Sequence, residues 1–537
     1  MARLSDRRSF SLAMLAAAAV APARAAADSA AGAAVGRPPA PGAADVDAMA
    51  ARLAAGTTSA AALARAGLQR IESLDRRGPA LHAVIERNPD AVALAAARDA
   101  ARKAARRTVG PLDGIPILIK DNIATADRML TTAGSLVLAN APAARDAFIV
   151  RRLREAGAVL LGKTNLSEWA NIRSTRSTSG WSARGGLTRN PYVLDRSPSG
   201  SSSGSAAAVA AGYVAVAVGT ETDGSIVSPA SICGLVGIKP TVGLVSRDGI
   251  IPIAHSQDTA GPIATTVRDA AALLGVLAGR DDNDPATRDA PAAPDYLAAC
   301  RADALRGARI GVVRAMFGTQ PGVRALADAA IARMTELGAT IVDPVELPPT
   351  RDYEDAELEV LLTELRLDLE GYLARFAPQA PVRNLRELVD WNLANAAREM
   401  SFFGQELFER ALQAGPIDGP AYAAARATCL RLARTEGIER ALAQHKLDAL
   451  VAPTGDPAWV TDMVNADHSG QSFSTPAAVA GLPHVTVPAG LIDGLPVGIS
   501  FVGGAYQEAA LIALAYAFEQ ATRARQAPRF LPTLALP

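Results

Sequence analysis

The 537-residue sequence predicts an α/β fold, one large β-sheet with helices on both faces. Three observations predict it. Short apolar runs separated by Gly, Pro and Asn, at 115–119, 158–161, 214–218 and 236–238, have the length and composition of buried strands. Helical patterns lie between them, notably at 146–156 and 204–212. Similar apolar runs return at 449–451, 485–487 and 497–502, and strands from both ends of a chain most simply share one sheet.

In chain order, residues 1–27 read as a removable export signal. Arg7-Arg8-Ser9-Phe10 precedes an apolar stretch at 12–21, and Ala23-Arg24-Ala25 supplies small residues for cleavage. The paired arginines suggest the twin-arginine route, and the expected location is periplasmic or secreted. The apolar stretch is shorter than the roughly 20 residues that span a bilayer, and no later segment is a plausible span. Residues 28–44, rich in Ala, Gly and Pro, read as a linker, and 45–537 as the folded domain. From 46 to 106 apolar residues recur at helical spacing with breaks at 56–59 and 88–89, which predicts two or three amphipathic helices. After the central runs come a Pro-rich loop at 281–294, strands at 310–313 and 340–342, an almost continuously helical insert at 353–445, and a closing helix at 507–523.

Composition excludes several classes of function. The 54 basic and 54 acidic side chains cancel without long runs of one sign, so nothing marks a nucleic-acid or anionic-membrane partner. Cys233, Cys300 and Cys429 are too few and too far apart for a disulfide framework or a zinc site. Only five of the cations are lysines, Lys103, Lys120, Lys163, Lys239 and Lys446. Because a buried Lys loses its proton readily and Arg does not, these five are the candidates for a base.

Two motif matches are formal. Gly157-Ala-Val-Leu-Leu-Gly162-Lys163-Thr164 fits the phosphate-binding P-loop, the basis of an alternative nucleotide-binding reading centred on Lys163, yet its middle residues read as a strand instead of an open loop. Gly200-Ser201-Ser202-Ser203-Gly204 fits the nucleophile elbow, with Ser202 as nucleophile and His484 as base, but the polar, Pro-containing residues 194–199 leave no strand leading into it.

Three other segments fit one chemistry. Residues 114–122, GIPILIKDN, end an apolar strand with Lys120, where desolvation favours the neutral, proton-accepting amine. Residues 199–205 place hydroxyls at a helix start, able to cap the helix or carry a proton relay. Residues 216–226 are a buried strand opening into a Gly-containing loop tipped by Ser225, whose successive amides, from Thr222 on, can form an oxyanion hole. Alone, each has a structural reading: a lysine reaching for water, a helix cap, a turn.

In this order and spacing the segments resemble the amidase signature family. The resemblance covers GIPILIKDN, TTAGS at 131–135, LGKTNLSEWA at 161–170, SPSGSSSGSAAAVAAG at 197–212, GTETDGSI at 219–226, GLVGIKPTVGLVSRDG at 234–249 and QDTAGPI at 257–263, and continues through GLPHVTVPAG and GLPVGISFVG. It implies the amidase signature fold, a large mixed β-sheet covered by helices on both faces. It implies Lys120 as base, Ser201, with a cis peptide bond, as bridging serine, and Ser225 as nucleophile, with the backbone amides of Thr222, Asp223, Gly224 and Ser225 as the oxyanion hole. Ser199, Ser203 and Asp223 stand where the family commonly has glycine.

GTETDGSI, SARGG at 182–186, SRDGIIPI and DALVAPTGDPAWVTD are similar to bacterial peptide amidases, which release ammonia from C-terminal peptide carboxamides. The expected function is therefore amide hydrolysis through an acyl-enzyme, on a small-molecule or peptide amide. Neither metal nor organic cofactor is required, and the sequence shows no histidine-carboxylate cluster to hold one. A general aliphatic or aryl amidase and an inactive amidase-like binding protein are the remaining alternatives, and oligomeric state is open.

Overall fold

A computed structural model describes residues 45–105 and 110–534; the expected export signal and linker lie outside the described residues. Thirteen strands are present among them: β1 (Val84–Arg87), β2 (Pro116–Lys120), β3 (Val159–Thr164), β4 (Trp181–Ser182), β5 (Gly186–Leu187), β6 (Val216–Glu221), β7 (Val236–Lys239), β8 (Thr259–Ala264), β9 (Arg309–Val312), β10 (Thr340–Val342), β11 (Ala449–Pro453), β12 (His484–Ile492) and β13 (Leu495–Val502). β4 and β5 form a small hairpin. The other eleven form one sheet in the order β1-β3-β2-β6-β8-β7-β12-β13-β11-β9-β10. Strands from the two ends of the chain meet where β7 pairs antiparallel with β12, His484 facing Lys239. The sheet is mixed, with β3-β2-β6 parallel and β6-β8-β7-β12-β13-β11 antiparallel.

The expected strands all form, most bounds within three residues, with β12 running five residues further than its apolar run. β2, β3, β6 and β7 are buried along their whole length, as continuous apolar runs require. Besides the two short hairpin strands, two strands of the large sheet were hidden. β8 carries Gly261 and Pro262, which argue against a central strand. Gly261 belongs there because a Cβ would lie 2.0 Å from the Ile238 carbonyl of β7. β1 is four residues long and lies inside a stretch with helical periodicity, where only its pairing with β3 makes it a strand.

The first two helices begin at side-chain caps. In α1 (Val46–Ala54) Asp45 accepts the Ala48 amide at 2.7 Å, and in α2 (Ala60–Arg70) Ser59 accepts that of Ala62 at 3.1 Å. α3 (Ala91–Ala105) and α4 (Phe148–Glu155) follow, then α5 (Ser203–Ala210). Every residue of α5 is buried, so it is a core helix, and it packs on β2, β3, β6 and β8. Gly204 permits this, since a Cβ there would sit 2.3 Å from the Ala83 carbonyl and 2.5 Å from that of Asn165. α6 (Val227–Ile232), α7 (Val267–Leu277) and α8 (Pro321–Glu336) also pack on the sheet.

The helical insert consists of α9 (Glu354–Phe376), α10 (Leu385–Ala394), α11 (Ala396–Glu399), α12 (Glu406–Gln413), α13 (Pro420–Cys429) and α14 (Arg440–His445), before α15 (Ser474–Val479) and α16 (Glu508–Thr522). No helix among the described residues is long and apolar enough to cross a membrane.

Candidate active site

Parallel pairing of β2 with β6, Leu118 opposite Ala217 and Ile119 opposite Val218, brings the end of β2 beside Thr220. Lys120 is fully buried there. Its Nζ lies 2.8 Å from Ser201 Oγ, 2.9 Å from Thr220 Oγ1 and 3.2 Å from the Thr220 carbonyl. Burial lowers the amine to about 7, against the opposing pull of the Glu221 and Asp258 carboxylates. A neutral amine has two hydrogens and one lone pair. Two bonds to Thr220 and one accepted from the Ser201 hydroxyl use all three.

Ser201 reaches Lys120 from the turn before α5, and the Gly200–Ser201 peptide is cis, as the resemblance implies. Its neighbour Ser202 is occupied otherwise. The Ser202 hydroxyl donates to the Thr220 carbonyl at 3.0 Å and accepts the Thr220 amide at 3.2 Å, which latches the turn onto β6. The elbow reading of Ser202 thus fails on geometry. His484 lies on β12, where its Nε2 bonds Ser500 Oγ at 2.6 Å, and burial with the nearby Lys239 lowers its pKa to about 3.

Beyond β6 the chain turns sharply through Thr222, Asp223, Gly224 and Ser225, with Gly224 at φ 74°. Among the described residues, none of the four amides in this turn donates to a protein acceptor, whereas the next two do: Glu221 Oε2 accepts Ile226 N at 2.7 Å and Val227 N at 3.0 Å, capping α6. Ser225 is tied back to the serine turn by the Ser202 amide, which donates to its carbonyl at 3.2 Å. Among the described residues no hydrogen bond joins the Ser201 and Ser225 hydroxyls, a contact of the kind that tightens when substrate fills a site.

Lys163, the P-loop candidate, is buried in β3 and donates to the Ile123 carbonyl at 2.6 Å and Thr131 Oγ1 at 2.8 Å. The motif's middle residues run into β3, so no open phosphate loop exists.

Residues that sequence reasoning missed surround the turn. Thr220 holds Lys120 through both its oxygens, and Asn122 Nδ2 donates to Thr220 Oγ1 at 3.0 Å. Thr222 Oγ1 donates to Asp258 Oδ1 at 2.6 Å, and Gln257 Nε2 donates to the Thr222 carbonyl at 3.3 Å. Thr475 Oγ1 donates to Asp223 Oδ2 at 2.7 Å. Apart from Asn122 and Thr475, these residues fall inside GTETDGSI and QDTAGPI, but nothing in their types announces such contacts.

A cavity of about 270 Å³ borders Ser199, Gly200, Asp223 and Gly224, with Asp456, Trp459 and Asp467 on its far wall; none of its lining residues is Lys, Arg or His. Of three larger cavities, those of about 360 and 800 Å³ lie away from these residues and one of about 320 Å³ borders Asp258 and His255. The loop at 171–186 is fixed to the insert. Arg173 pairs with Glu168 at 2.8 Å and donates to the Phe403 and Gly404 carbonyls at 3.1 and 3.0 Å, while Trp181 packs edge-on against Phe402 and Phe403.

One expectation needs correcting. The fold does assemble a histidine-carboxylate group, His255, Glu364 and Asp368, from segments about a hundred residues apart. Its bonds are internal: His255 Nδ1 lies 2.9 Å from Asp368 Oδ2, Glu364 Oε2 accepts the Ser256 amide at 2.9 Å, and Glu364 Oε1 accepts the Tyr422 hydroxyl at 2.6 Å. Burial alone would lower the His255 pKa, but the Asp368 bond and the two carboxylate charges raise it, and the group ties residues 255 and 256 to α9.

A family model described as Amidase matches residues 62–512. The chain belongs to the amidase signature family. As an amidase it is a hydrolase of linear amide C–N bonds. A solved peptide amidase from Stenotrophomonas maltophilia is 53% identical to this amidase with a TM-score of 0.86, covering 90% of this chain and 98% of that one. A peptide amidase in complex with the competitive inhibitor chymostatin gives 53% and 0.88, covering 90% and 99%. Among sequence relatives, a probable amidase of Arabidopsis thaliana is 41% identical over 86% of this amidase and 87% of its own length.

Proposed function

We propose that this amidase releases ammonia from the C-terminal carboxamides of peptides, with Ser225 as nucleophile, Ser201 as proton relay and Lys120 as base. The observation that carries the mechanism is the row of four undonated amides at residues 222–225, ending at Ser225, whose carbonyl is tied to the serine turn where Ser201 bonds the buried, near-neutral Lys120.

Ser225 Oγ attacks the amide carbon as its proton passes to Ser201 Oγ, whose own proton passes to the Lys120 amine. The carbonyl oxygen becomes an oxyanion facing the amides of 222–225, where one donor is typically worth about 3 to 4 kcal/mol. The relay then returns a proton to the leaving nitrogen, the C–N bond breaks, and ammonia departs from an acyl ester on Ser225. Water delivers its proton through the same relay, attacks the ester, and releases the peptide acid.

The peptide substrate is supported by the 53% identity to solved peptide amidases across nearly their whole length. The cavity adds a second support: three aspartates and no basic side chain along its wall disfavour a free carboxylate where a neutral carboxamide is accepted. Action outside the cytoplasm is also part of the proposal, resting on Arg7-Arg8 and the apolar run after them.

The test is ammonia release from a blocked dipeptide carboxamide and a simple aliphatic amide, with Ser225→Ala as control. Preference for the dipeptide, internal peptide bonds remaining intact, is the expected result. Activity on the simple amide alone would make this a general amidase, and silence on both would favour a binding protein.

A further inference from the structure

We infer that Glu357, in the first turn of the insert helix α9, is a positioning residue that sets the oxyanion turn through Gln257. The inference rests on the reading that the 222–225 amides receive the oxyanion.

The connection is short and buried. Gln257 Nε2 donates both to Glu357 Oε1, at 2.9 Å, and to the Thr222 carbonyl, at 3.3 Å. Gln257 is 1% exposed and Glu357 9%. Gln257 Oε1 has no partner among the described residues, so the two bonds from Nε2 fix how the amide lies. On the other side of Thr222, Asp258 accepts the Thr222 hydroxyl at 2.6 Å and is itself held by the amides of Ile253 and Ala254 at 2.8 and 3.0 Å. The first residue of the proposed oxyanion hole is thus gripped through both its carbonyl, which shares a peptide plane with the Asp223 amide, and its side chain.

That grip is anchored in the insert. Glu357, Glu364 and Asp368 lie seven and four residues apart, one face of α9. Glu364 accepts the Ser256 amide at 2.9 Å and Asp368 the His255 amide at 3.0 Å. The same helix face therefore holds residues 255–257 at three successive points. Moving α9 or losing Glu357 shifts the turn that holds Thr222.

Charge separates this role from a plain tether. Facing Glu357 are Asp223 of the oxyanion turn, Glu354 of its own helix, Tyr353 at the helix start and Cys429 of α13; Lys239 acts on Asp223 from β7. Burial, then Asp223, raises the Glu357 carboxyl to about 8, and burial raises that of Asp223. Below that pH Glu357 is a neutral acid whose carbonyl oxygen serves Gln257. As pH rises through about 8 it ionises against Asp223, and two like charges push the oxyanion turn away from α9.

Steady-state kinetics on a blocked dipeptide carboxamide between pH 5 and 10 test this with wild type, Glu357→Gln, Glu357→Leu and Ser225→Ala. Glu357→Gln keeps the acceptor and removes the charge, so at pH 7 it should stay within about threefold of wild type, and the fall in kcat above pH 8 should disappear. Glu357→Leu should lower kcat by about tenfold or more while KM changes by less than about threefold, the mark of misplaced transition-state donors. An alkaline limb retained in Glu357→Gln, or an unchanged kcat in Glu357→Leu, would overturn the inference. Should the Leu variant fail to fold, the Gln pH profile decides alone. Undiminished hydrolysis by Ser225→Ala would instead refute the site reading beneath it, whatever Glu357 does.

Discussion

Replacing Lys120 with methionine keeps an unbranched chain of similar length and removes the amine. Two effects on stability oppose each other. Holding a lysine at about 7 instead of 10.5 costs about 5 kcal/mol of folding free energy at neutral pH and below. Methionine relieves that cost but leaves Ser201 Oγ without its partner, at about 1 to 3 kcal/mol, while Thr220 Oγ1 and the Thr220 carbonyl each lose one bond and keep those from Asn122 and Ser202. The net change at pH 7 should be a few kcal/mol at most, and the variant should fold.

The pH dependence has a definite sign. Between about 7 and 10.5 the unfolded chain binds a proton at this lysine that the folded chain does not, so wild-type stability rises with pH across that window. Lys120→Met removes this lysine's share of the slope and leaves those of Lys163 and Lys239, which burial lowers to about 8. Its catalytic loss is that of a general base, about 10²- to 10⁴-fold in kcat/KM, or about 3 to 5 kcal/mol. Ammonia release from a blocked dipeptide carboxamide, with thermal unfolding at pH 7 and pH 9, measures all three effects. In wild type, kcat/KM should climb through about pH 7 as the amine loses its proton. A folded Lys120→Met within tenfold of wild type, or a wild-type profile flat from pH 5 to 8, would refute Lys120 as base.

The remaining predictions follow the same contacts. Ser225→Ala should retain the wild-type unfolding midpoint and lose at least about 10³-fold in kcat, with no acyl-enzyme detectable by mass spectrometry. Ser201→Ala should be comparably inactive, since it removes the hydroxyl bonded to Lys120 that relays the proton of Ser225; loss smaller than tenfold would show that the relay runs elsewhere. Lys163→Ala should act on stability by about 2 to 5 kcal/mol, from a buried cavity and the lost bonds to the Ile123 carbonyl and Thr131 Oγ1, which keep only their 3.3 Å bond to each other, and the folded fraction should keep near-normal kcat.

What the sequence revealed depended on how local each signal was. β2, β3 and β6 are read from apolar runs because burial on both faces leaves no other composition for them. β8 escaped because Gly261 answers to the Ile238 carbonyl, a partner that local periodicity cannot register. β1 escaped because a four-residue strand leaves too short a pattern. In the site, Lys120, Ser201 and Ser225 were marked by their place in recognisable segments, and the fold brings Lys120 and Ser201 into contact across 81 positions. The supports of the turn were not legible. Gln257 and Glu357 are a hundred positions apart, and Glu357 has the appearance of an ordinary acidic residue near a helix start.

The acidic wall of the cavity also bears on the fate of the product. On the proposed function, hydrolysis of a terminal carboxamide converts a neutral group into a carboxylate at a cavity lined by Asp223, Asp456 and Asp467, with no lining cation to hold it. The substrate meets little repulsion on entry, whereas the peptide acid meets like charge as soon as it is freed. Such a site clears itself: product should inhibit weakly, rebinding of peptide acid for the reverse synthesis should be poor, and turnover should be limited by acyl transfer instead of product departure.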